Sequence, residues 1–237
     1  LSLAGFLPVL WSAGDRLISS KAVSRPMLVR TAGEIVGSTG IVGGLALVPL
    51  STVTALMQVQ PLLLTAAAAI FLSEKVGWRR WAAVSAGFVG MLIILRPGLA
   101  AFDPLLLLPL MGVVGQTARD IGTRLLPSEI STAFAASWAL LSLSLVGAVG
   151  TFAGDGWQPM SGATSIVVLA AAATVSVAYV FITLALRTGE VSAVAPFRYT
   201  RILFAMALAW LVFGERPDLA VWLGLFLIVA SGLYAFW

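Results

Sequence analysis

The sequence predicts an all-α protein, a polytopic membrane helix bundle built from two inverted repeats. The first observation is composition: of 237 residues, 60% are hydrophobic and only 10% are charged, whereas soluble domains carry about 25% charged residues. The second is a succession of uncharged runs, each near the roughly 20 residues that span a hydrocarbon core. The third is an internal repeat whose copies have opposite orientations.

The composition also excludes several chemistries. The chain contains no cysteine and no histidine, which removes thiolate nucleophiles, disulfides, imidazole metal ligands and imidazole proton relays. Intramembrane GxGD and DxxxD motifs are absent from the sequence as well. We therefore predict neither an enzyme nor a metal or cofactor site. The net charge of +4 is interpreted as a membrane-orientation signal rather than as evidence for a nucleic-acid partner.

The first helices follow from the position of the charges. The apolar run from Leu1 to Trp11 is too short to span, and we interpret it as the tail of a truncated helix. Residues 35–73 carry no formal charge, and one helix of that length would be about 58 Å long, nearly twice the membrane. Because proline disfavours helix, a turn at Pro49 divides the run into helices near 27–48 and 52–72.

Polar breaks delimit the remaining helices. Six further apolar segments follow in order, so that the chain has eight helices after the partial first one: 81–95, 104–118, 130–154, 156–186, 190–213 and 219–237.

Lysine and arginine predict the orientation, because cytoplasmic loops retain them. Only Arg96 and Arg216 fall in one set of alternate loops, which places that set outside and the C-terminal Trp237 in the cytoplasm. Arg119 and Asp120 are expected at a solvated helix end. The basic residues assigned to the cytoplasmic loops are Arg16, Lys21, Arg25, Arg30, Lys75, Arg79, Arg80, Arg119, Arg124 and Arg187.

Two stretches of the chain match each other. In both copies a glutamate precedes a tryptophan by seven residues, and a helix with small residues follows. Five helices separate the copies, so the two glutamates lie on opposite sides of the membrane, as the charge count independently requires. Inverted repeats are typical of secondary transporters, although apolar helices can also match by coincidence. The matched segments are Val53-Thr54-Ala55 with Val191-Ser192-Ala193, and Glu74 and Trp81 with Glu215 and Trp222.

These residues resemble the EamA family of the drug/metabolite transporter superfamily. Pro61 to Pro97 is similar to the end of the first EamA repeat, and Val191 to Asp218 to the corresponding part of the second. Family members have ten helices, so the resemblance implies that the first helix and part of the second are missing here. It divides the chain into a truncated first repeat, 1–97, and a second repeat, 104–237.

A narrower similarity concerns substrate. The segments Ala195-Pro196-Phe197-Arg198-Tyr199 and Phe213 to Asp218 resemble bacterial members that move S-adenosylmethionine and related metabolites. The resemblance implies a secondary transporter of the bacterial inner membrane that moves a small polar, zwitterionic or anionic metabolite by alternating access. The alternatives are a riboflavin or drug/metabolite exporter of the same fold or, in a different class, a membrane scaffold or channel without catalytic function.

Charged residues inside predicted helices are the main site candidates, since each costs about 2.5–3.5 kcal/mol at the membrane centre. Glu34, Arg198 and Arg201 lie at comparable depth, and the two arginines share a helix face on which they can converge on one anionic group. Pro196 would loosen that helix. The alternative is an ion pair between Glu34 and one of these arginines that locks helices together. Glu34, the only deeply placed acid, is also the candidate for a coupling proton.

Uncharged polar residues form a second group. Gln58, Gln60 and Gln116 can orient a polar ligand or join helices through hydrogen bonds. Tyr199 can stack on a flat ring or fill a helix contact.

A stripe of glycines follows one face of the first complete helix. Such a stripe permits close helix approach, and it also permits hinge motion. Pro61 and Pro196 are the other candidate hinge or packing residues. The glycines are Gly33, Gly37, Gly40 and Gly44.

Overall fold

The structure is a computed structural model that describes residues 20–98, 102–153, 161–188 and 199–235. All regular secondary structure in these ranges is helical. Short 3-10 turns cover Ser20–Val23 and Pro104–Leu106. The α-helices are α1 (Arg25–Leu47), α2 (Leu50–Met57), α3 (Gln60–Phe71), α4 (Trp78–Leu95), α5 (Leu107–Arg124), α6 (Thr132–Ala153), α7 (Gly162–Thr188), α8 (Thr200–Leu211) and α9 (Leu219–Tyr234).

The predicted helix at 52–72 is wrong in one respect, because it is broken into α2 and α3. The break has a local cause at Pro61, the second residue of α3. In a continuous helix the residue at position 61 would donate its N–H to the carbonyl of Met57, and proline has no N–H. The N–H groups of Gln58 and Val59 instead bond three residues back, to Ala55 and Leu56. The carbonyl of Met57 is therefore left for another donor.

The predicted helix at 104–118 also ends too early. Helix α5 continues to Arg124, so Arg119 and Asp120 belong to its last turns rather than to a loop. The difference matters for the site, because both side chains are brought into the protein interior.

The glycine stripe of α1 packs against α5. A Cβ atom on Gly33 would lie 2.6 Å from the carbonyl oxygen of Gly115, and one on Gly40 would lie 2.6 Å from that of Leu108. Such distances leave no room for a side chain, so the two backbones are in direct contact. The structure thus places the stripe at a close helix contact.

A second glycine contact joins the last helix of each repeat. A Cβ atom on Gly90 in α4 would lie 2.7 Å from the carbonyl oxygen of Gly224 in α9. Tightly packed apolar side chains surround this contact, among them Ile94 and Ile228, both buried. Helices α4 and α9 occupy corresponding positions in the two repeats.

The repeat is visible in the backbone. Helices α3 and α8 are both followed by a left-handed residue, Ser73 at φ 55° and Gly214 at φ 63°. The next residue in each case is the glutamate, whose N–H bonds six residues back, from Glu74 to Ala68 and from Glu215 to Ala209. In both cases the left-handed residue turns the chain so that the next N–H returns to a carbonyl of the last helical turns. Equivalent helices in the two halves therefore end in the same way.

The two equivalent turns lie at opposite ends of the bundle. Glu215 contacts the start of α2 at Leu50 and Ser51, whereas Glu74 follows the far end of the same broken helix. Since α2 and α3 run in one direction and α8 in the other, the repeats are inverted. We call the two ends of the bundle the Glu215 end and the Glu74 end.

Four helical segments in the described ranges are long and apolar enough to cross a membrane: Leu50–Phe71, Trp78–Leu95, Thr132–Phe152 and Gly162–Ala185. Helices α8 and α9 are apolar but shorter. The helices α1 and α5 carry the buried charges described below. The predictions for residues 1–11, Pro196, Arg198 and Trp237 fall outside the described residues.

Candidate functional site

The break between α2 and α3 is bound by an arginine of the second repeat. Nη2 of Arg201 donates to the carbonyl oxygen of Met57 and to Oε1 of Gln58, at 3.1 Å in both cases. The first of these bonds satisfies the carbonyl that Pro61 leaves without its helical donor. A positive group at the C-terminal end of α2 is also favoured by the helix dipole.

Gln58 completes a two-way link across the break. Its side-chain nitrogen donates to the carbonyl oxygen of Tyr199, at 3.2 Å, while its side-chain oxygen accepts from Arg201. Gln58 is fully buried. We call Met57, Gln58, Tyr199 and Arg201 the helix-break site, in which the two repeats are joined by directional polar contacts.

Tyr199 is buried, and its hydroxyl has no hydrogen-bond partner within the described part of the chain. The ring lies directly against Gly232 of α9, where any side chain would collide with it. In this conformation the ring fills a helix contact. The hydroxyl is thus a buried polar group whose hydrogen-bonding capacity is not used within the described residues.

A second polar group lies between α1, α3 and α5. Arg119 donates from Nε and Nη2 to Oδ1 of Asp120, at 2.9 and 2.8 Å, and its Nη1 lies 3.8 Å from Oε1 of Glu34. Nε of Arg30 donates to the hydroxyl of Thr123 at 3.0 Å. We call Arg30, Glu34, Arg119 and Asp120 the charge cluster, in which the formal charges sum to zero.

The charge cluster corrects four expectations. Arg119 and Asp120 are not at a solvated helix end, since the Asp120 side chain is completely buried and that of Arg119 is only 12% exposed. Arg30, counted among the loop charges, is 1% exposed. Glu34 is not the only deeply placed acid, because Asp120 is equally buried. The ion-pair partner that the structure gives Glu34 is Arg119 rather than Arg201.

Gln60 connects the charge cluster to the helix break. Its side-chain nitrogen donates to Oδ2 of Asp120 at 3.1 Å. The two glutamines on either side of the break are thus anchored to different helices, Gln58 to the segment around α8 and Gln60 to α5. Gln116 lies one turn before the cluster, and its Cγ packs beside Gly37.

Glu34 has a carboxylate oxygen that remains open. Its Oε1 accepts from the hydroxyl of Ser38 at 3.2 Å and faces Arg119. Its Oε2 is buried and has no partner within the described ranges, and the same is true of the neighbouring hydroxyl of Thr31. A buried carboxylate oxygen without a donor is costly, so the position is suited to a proton or to a ligand N–H group.

Comparisons with known proteins identify the family of this chain. Residues 106–237 match the family model described as the EamA-like transporter family, which covers more than half of the chain. The chain belongs to this family. Family membership and the four apolar helices indicate a multi-pass membrane protein of a transporter class.

Individual relatives fall into two groups by name. The chain is 32% identical to a riboflavin transporter of Rhizobium johnstonii, over 87% of this chain and 68% of the relative. It is 25% identical to an S-adenosylmethionine uptake transporter of Rickettsia felis, over 96% of this chain and 76% of the relative. A riboflavin transporter of Vibrio cholerae is 30% identical, over 78% of this chain and 61% of the relative. The resemblance to the EamA family is thereby confirmed.

Sequence reasoning found part of this site and missed the rest. It singled out Glu34, Gln58, Gln60 and Arg201, which the structure places in two adjacent polar groups. It missed Arg30, Arg119 and Asp120 because these were attributed to loops. A usable signal was present, since Arg30 and Glu34 are four residues apart and therefore share one helix face. Arg198 and Pro196 lie outside the described residues.

Proposed function

We propose that this EamA-like protein transports a small polar metabolite across the bacterial inner membrane by alternating access, with the substrate bound at the helix break. The observation that carries the proposal is the bond from Arg201 to the carbonyl of Met57, which Pro61 leaves without its helical donor. Discontinuous helices near the membrane midplane are the usual substrate sites of transporters built from inverted repeats. Here both repeats contribute residues to the break, so rocking of one repeat against the other alters the site.

The proposed substrate class is a metabolite that carries an amino-acid zwitterion, such as S-adenosylmethionine. A guanidinium at the break suits a substrate carboxylate, and the open oxygen of Glu34 suits a substrate ammonium group. The hydroxyl of Tyr199 and the amides of Gln60 and Gln116 are proposed as further contacts, and Arg198 as a second guanidinium on the same segment. The relatives named as S-adenosylmethionine uptake transporters support this class.

Riboflavin is the second candidate, favoured by a specific observation. Two riboflavin transporters are 32% and 30% identical to this chain, above the 25% identity of the S-adenosylmethionine relatives. Riboflavin is a neutral ring system with a polyol chain, and its recognition depends on hydrogen bonds rather than on a charged pair. The two candidates therefore place different demands on Arg201 and Glu34.

Uptake into proteoliposomes distinguishes the two. We expect saturable accumulation of labelled S-adenosylmethionine that unlabelled S-adenosylmethionine inhibits and riboflavin does not. In Arg201→Ala, accumulation should fall at least tenfold, whereas Arg79→Ala, which removes an exposed arginine, should retain it. Accumulation of riboflavin alone would transfer the assignment to the second candidate. Accumulation of neither by folded protein would contradict both.

We further propose that Glu34 carries the coupling proton. Asp120 is equally buried, but both of its oxygens already accept hydrogen bonds, from Arg119 and Gln60. Glu34 has the open oxygen. Uptake by the parent protein should respond to an imposed pH gradient, and Glu34→Gln should abolish that response. Asp120→Asn is the matched comparison and should retain it. An unchanged gradient response in Glu34→Gln would contradict the assignment.

The proposed orientation places the Glu74 end and the C-terminus in the cytoplasm. The basis is the distribution of lysine and arginine, which are concentrated in the loops at that end. A single cysteine at exposed Lys75 should be protected from an impermeant thiol reagent in intact cells and be labelled after lysis. Labelling in intact cells would reverse the orientation.

A further inference from the structure

The N-terminus of α2 is capped by a residue from the other repeat. Its own N-cap residue is Pro49, which supplies no side-chain acceptor. Instead, the carboxylate of Glu215 accepts from the backbone N–H of Leu50 through Oε1 and from that of Ser51 through Oε2, both at 2.8 Å. These are two of the orphan donors that begin any helix. Glu215 therefore acts as the N-cap of α2, although it lies 165 residues away in the sequence.

The backbone before Glu215 fixes the carboxylate in this position. The left-handed Gly214 turns the chain at the end of α8, and the N–H of Glu215 bonds back to Ala209 at 2.9 Å. Two bonds to a carboxylate at a helix N-terminus are charge-assisted and are favoured by the helix dipole. The contact thus joins the end of α8 in the second repeat to the start of α2 in the first.

The same loop makes a second connection at this end. Asp218 caps α9 by accepting from the N–H of Val221 at 2.9 Å, and it also pairs with Arg96 at the end of α4. Asp218 is exposed, with 54% of its side chain accessible, whereas Glu215 is half-buried and its partner Ser51 is buried. The Glu215 contact is therefore the better shielded of the two links between the repeats at this end.

The contact lies at one end of the interface between α2 and α8, and the helix break lies at the other end. A surface cleft of about 380 Å³ lies beside the Glu215 contact, lined by Pro49, Thr52, Arg216 and Asp218. Further along α2 the protein is closely packed, since Ser51 is 2% exposed and Val53 is 0% exposed. Separation of α2 from the α8–α9 loop is the movement that would extend this cleft inward.

We infer that Glu215 is a positioning residue of the transport cycle, which holds α2 against the second repeat and must release the N–H groups of Leu50 and Ser51 before the Glu215 end can open. The inference depends on the proposed function for its place in a cycle. The closure itself is tested without substrate, so that failure of the two proposals can be told apart.

A cysteine reporter measures the closure. The sequence contains no cysteine, so Thr52→Cys provides a single thiol in the cleft, and its rate of modification by an impermeant reagent reports access. Glu215→Ala should raise this rate at least fivefold, and Glu215→Gln by less, since an amide retains one acceptor oxygen. In the same variants, a Lys75→Cys reporter at the other end should react at an unchanged or lower rate.

The matched control removes the equivalent carboxylate at the other end. Glu74 follows the same type of turn as Glu215 but lies far from α2. Glu74→Ala should leave the Thr52→Cys rate unchanged. An equal rise in Glu74→Ala, or no rise in Glu215→Ala, would overturn the inference.

A second pair of variants tests the donor side and leaves Glu215 in place. Leu50→Pro removes one of the two N–H donors, at the first helical position where proline is tolerated, and Leu50→Ala is its control. Pro49 already has the extended conformation that a following proline requires, at φ −51° and ψ 138°. The Thr52→Cys rate should rise in Leu50→Pro relative to Leu50→Ala. Equal rates in this pair would also overturn the inference, even if Glu215→Ala failed to fold.

If the inference and the proposed function both hold, transport falls when the contact is lost. Uptake by Glu215→Ala should decrease severalfold, because the end can no longer be closed in each cycle, while binding at the helix break persists. A raised Thr52→Cys rate with undiminished uptake would show that the contact does not belong to the cycle. An absence of uptake in the parent protein would concern the proposed function alone.

Discussion

Arg201 and Gln58 are joined across the interface between the two repeats, at 3.1 Å from Nη2 to Oε1. The same nitrogen also reaches the carbonyl of Met57. One guanidinium thus satisfies both the amide of Gln58 and the carbonyl that Pro61 leaves without a donor. The broken helix of the first repeat is completed by a charge from the second.

This relationship predicts energetic coupling between the two side chains. We expect Gln58→Ala and Arg201→Ala each to destabilise the protein, and the double variant to cost less than the sum of the two. The difference should be at least 0.5 kcal/mol, within the range of about 0.5–3 kcal/mol for directly contacting groups. The measurement is a double-mutant cycle on unfolding in mixed micelles. Strict additivity would mean that the contact does not contribute to stability.

The charge cluster predicts a large penalty for removal of one cation. Arg119→Gln leaves Glu34 and Asp120 buried with Arg30 as the remaining charge, which gives a net charge of −1. Breaking a buried ion pair from one side costs about 3–5 kcal/mol. Neutralising Asp120 at the same time returns the net charge of the cluster to zero. The double variant Arg119→Gln/Asp120→Asn should therefore be more stable than Arg119→Gln alone. Thermal unfolding in detergent measures the melting temperatures of the two variants. A lower melting temperature for the double variant would show that loss of the Asp120 charge does not compensate for loss of Arg119.

The contact between α1 and α5 predicts that neighbouring glycines differ sharply. A Cβ atom at Gly40 would meet the backbone of Leu108 at 2.6 Å, whereas one at Gly43 would lie 3.7 Å from a flexible Leu108 methyl group. Gly40→Ala should therefore destabilise the protein by about 1–3 kcal/mol through overpacking. Gly43→Ala should be neutral or slightly stabilising, because alanine favours helix. Equal melting temperatures for the two variants would show that the helices can separate at no cost.

The helices and the internal repeat could be predicted from the sequence, because both depend on local patterns. Apolar runs of membrane length predict spans, and the matching glutamates predict equivalent turns that the backbone then displays at Ser73 and Gly214. The break in the second helix also had a local cause in Pro61. Its significance depends on Arg201, which lies 144 residues away, and no local pattern specifies that contact.

The charge cluster shows why the buried polar groups of the site could not all be predicted from the sequence. Hydropathy treats Arg119 and Asp120 as the end of a span, since a charge in the membrane is costly on its own. The cost is offset here by groups from other helices, namely Glu34 on α1 and Gln60 on α3. Such compensation is a tertiary property, and the same residues in a different arrangement would indeed lie in a loop.

The loop at the Glu215 end predicts a dependence of stability on pH. Although partial burial opposes the shift, hydrogen bonds from Ser51 and Leu50 hold the pKa of Glu215 below its ordinary value of 4.5. The N–H of Val221, and then Arg96, hold the pKa of Asp218 below 3.8, with burial again opposing. A carboxyl whose pKa is lower in the folded state contributes stability above its unfolded pKa, and this is lost as the pH falls through its folded pKa.

The stabilisation from Glu215 should therefore be fully present at pH 7 and be lost progressively as the pH falls below 4.5 and through the lower pKa that Glu215 has in the folded state. Melting temperatures measured from pH 7 to pH 3 should show the parent protein above Glu215→Gln at neutral pH, with the difference shrinking as the carboxyl is protonated. Exposed Glu129 provides the control, because Glu129→Gln should follow the parent across the whole range. A difference between the parent and Glu215→Gln that stayed constant to pH 3 would mean that ionisation of Glu215 does not contribute to the contact with α2.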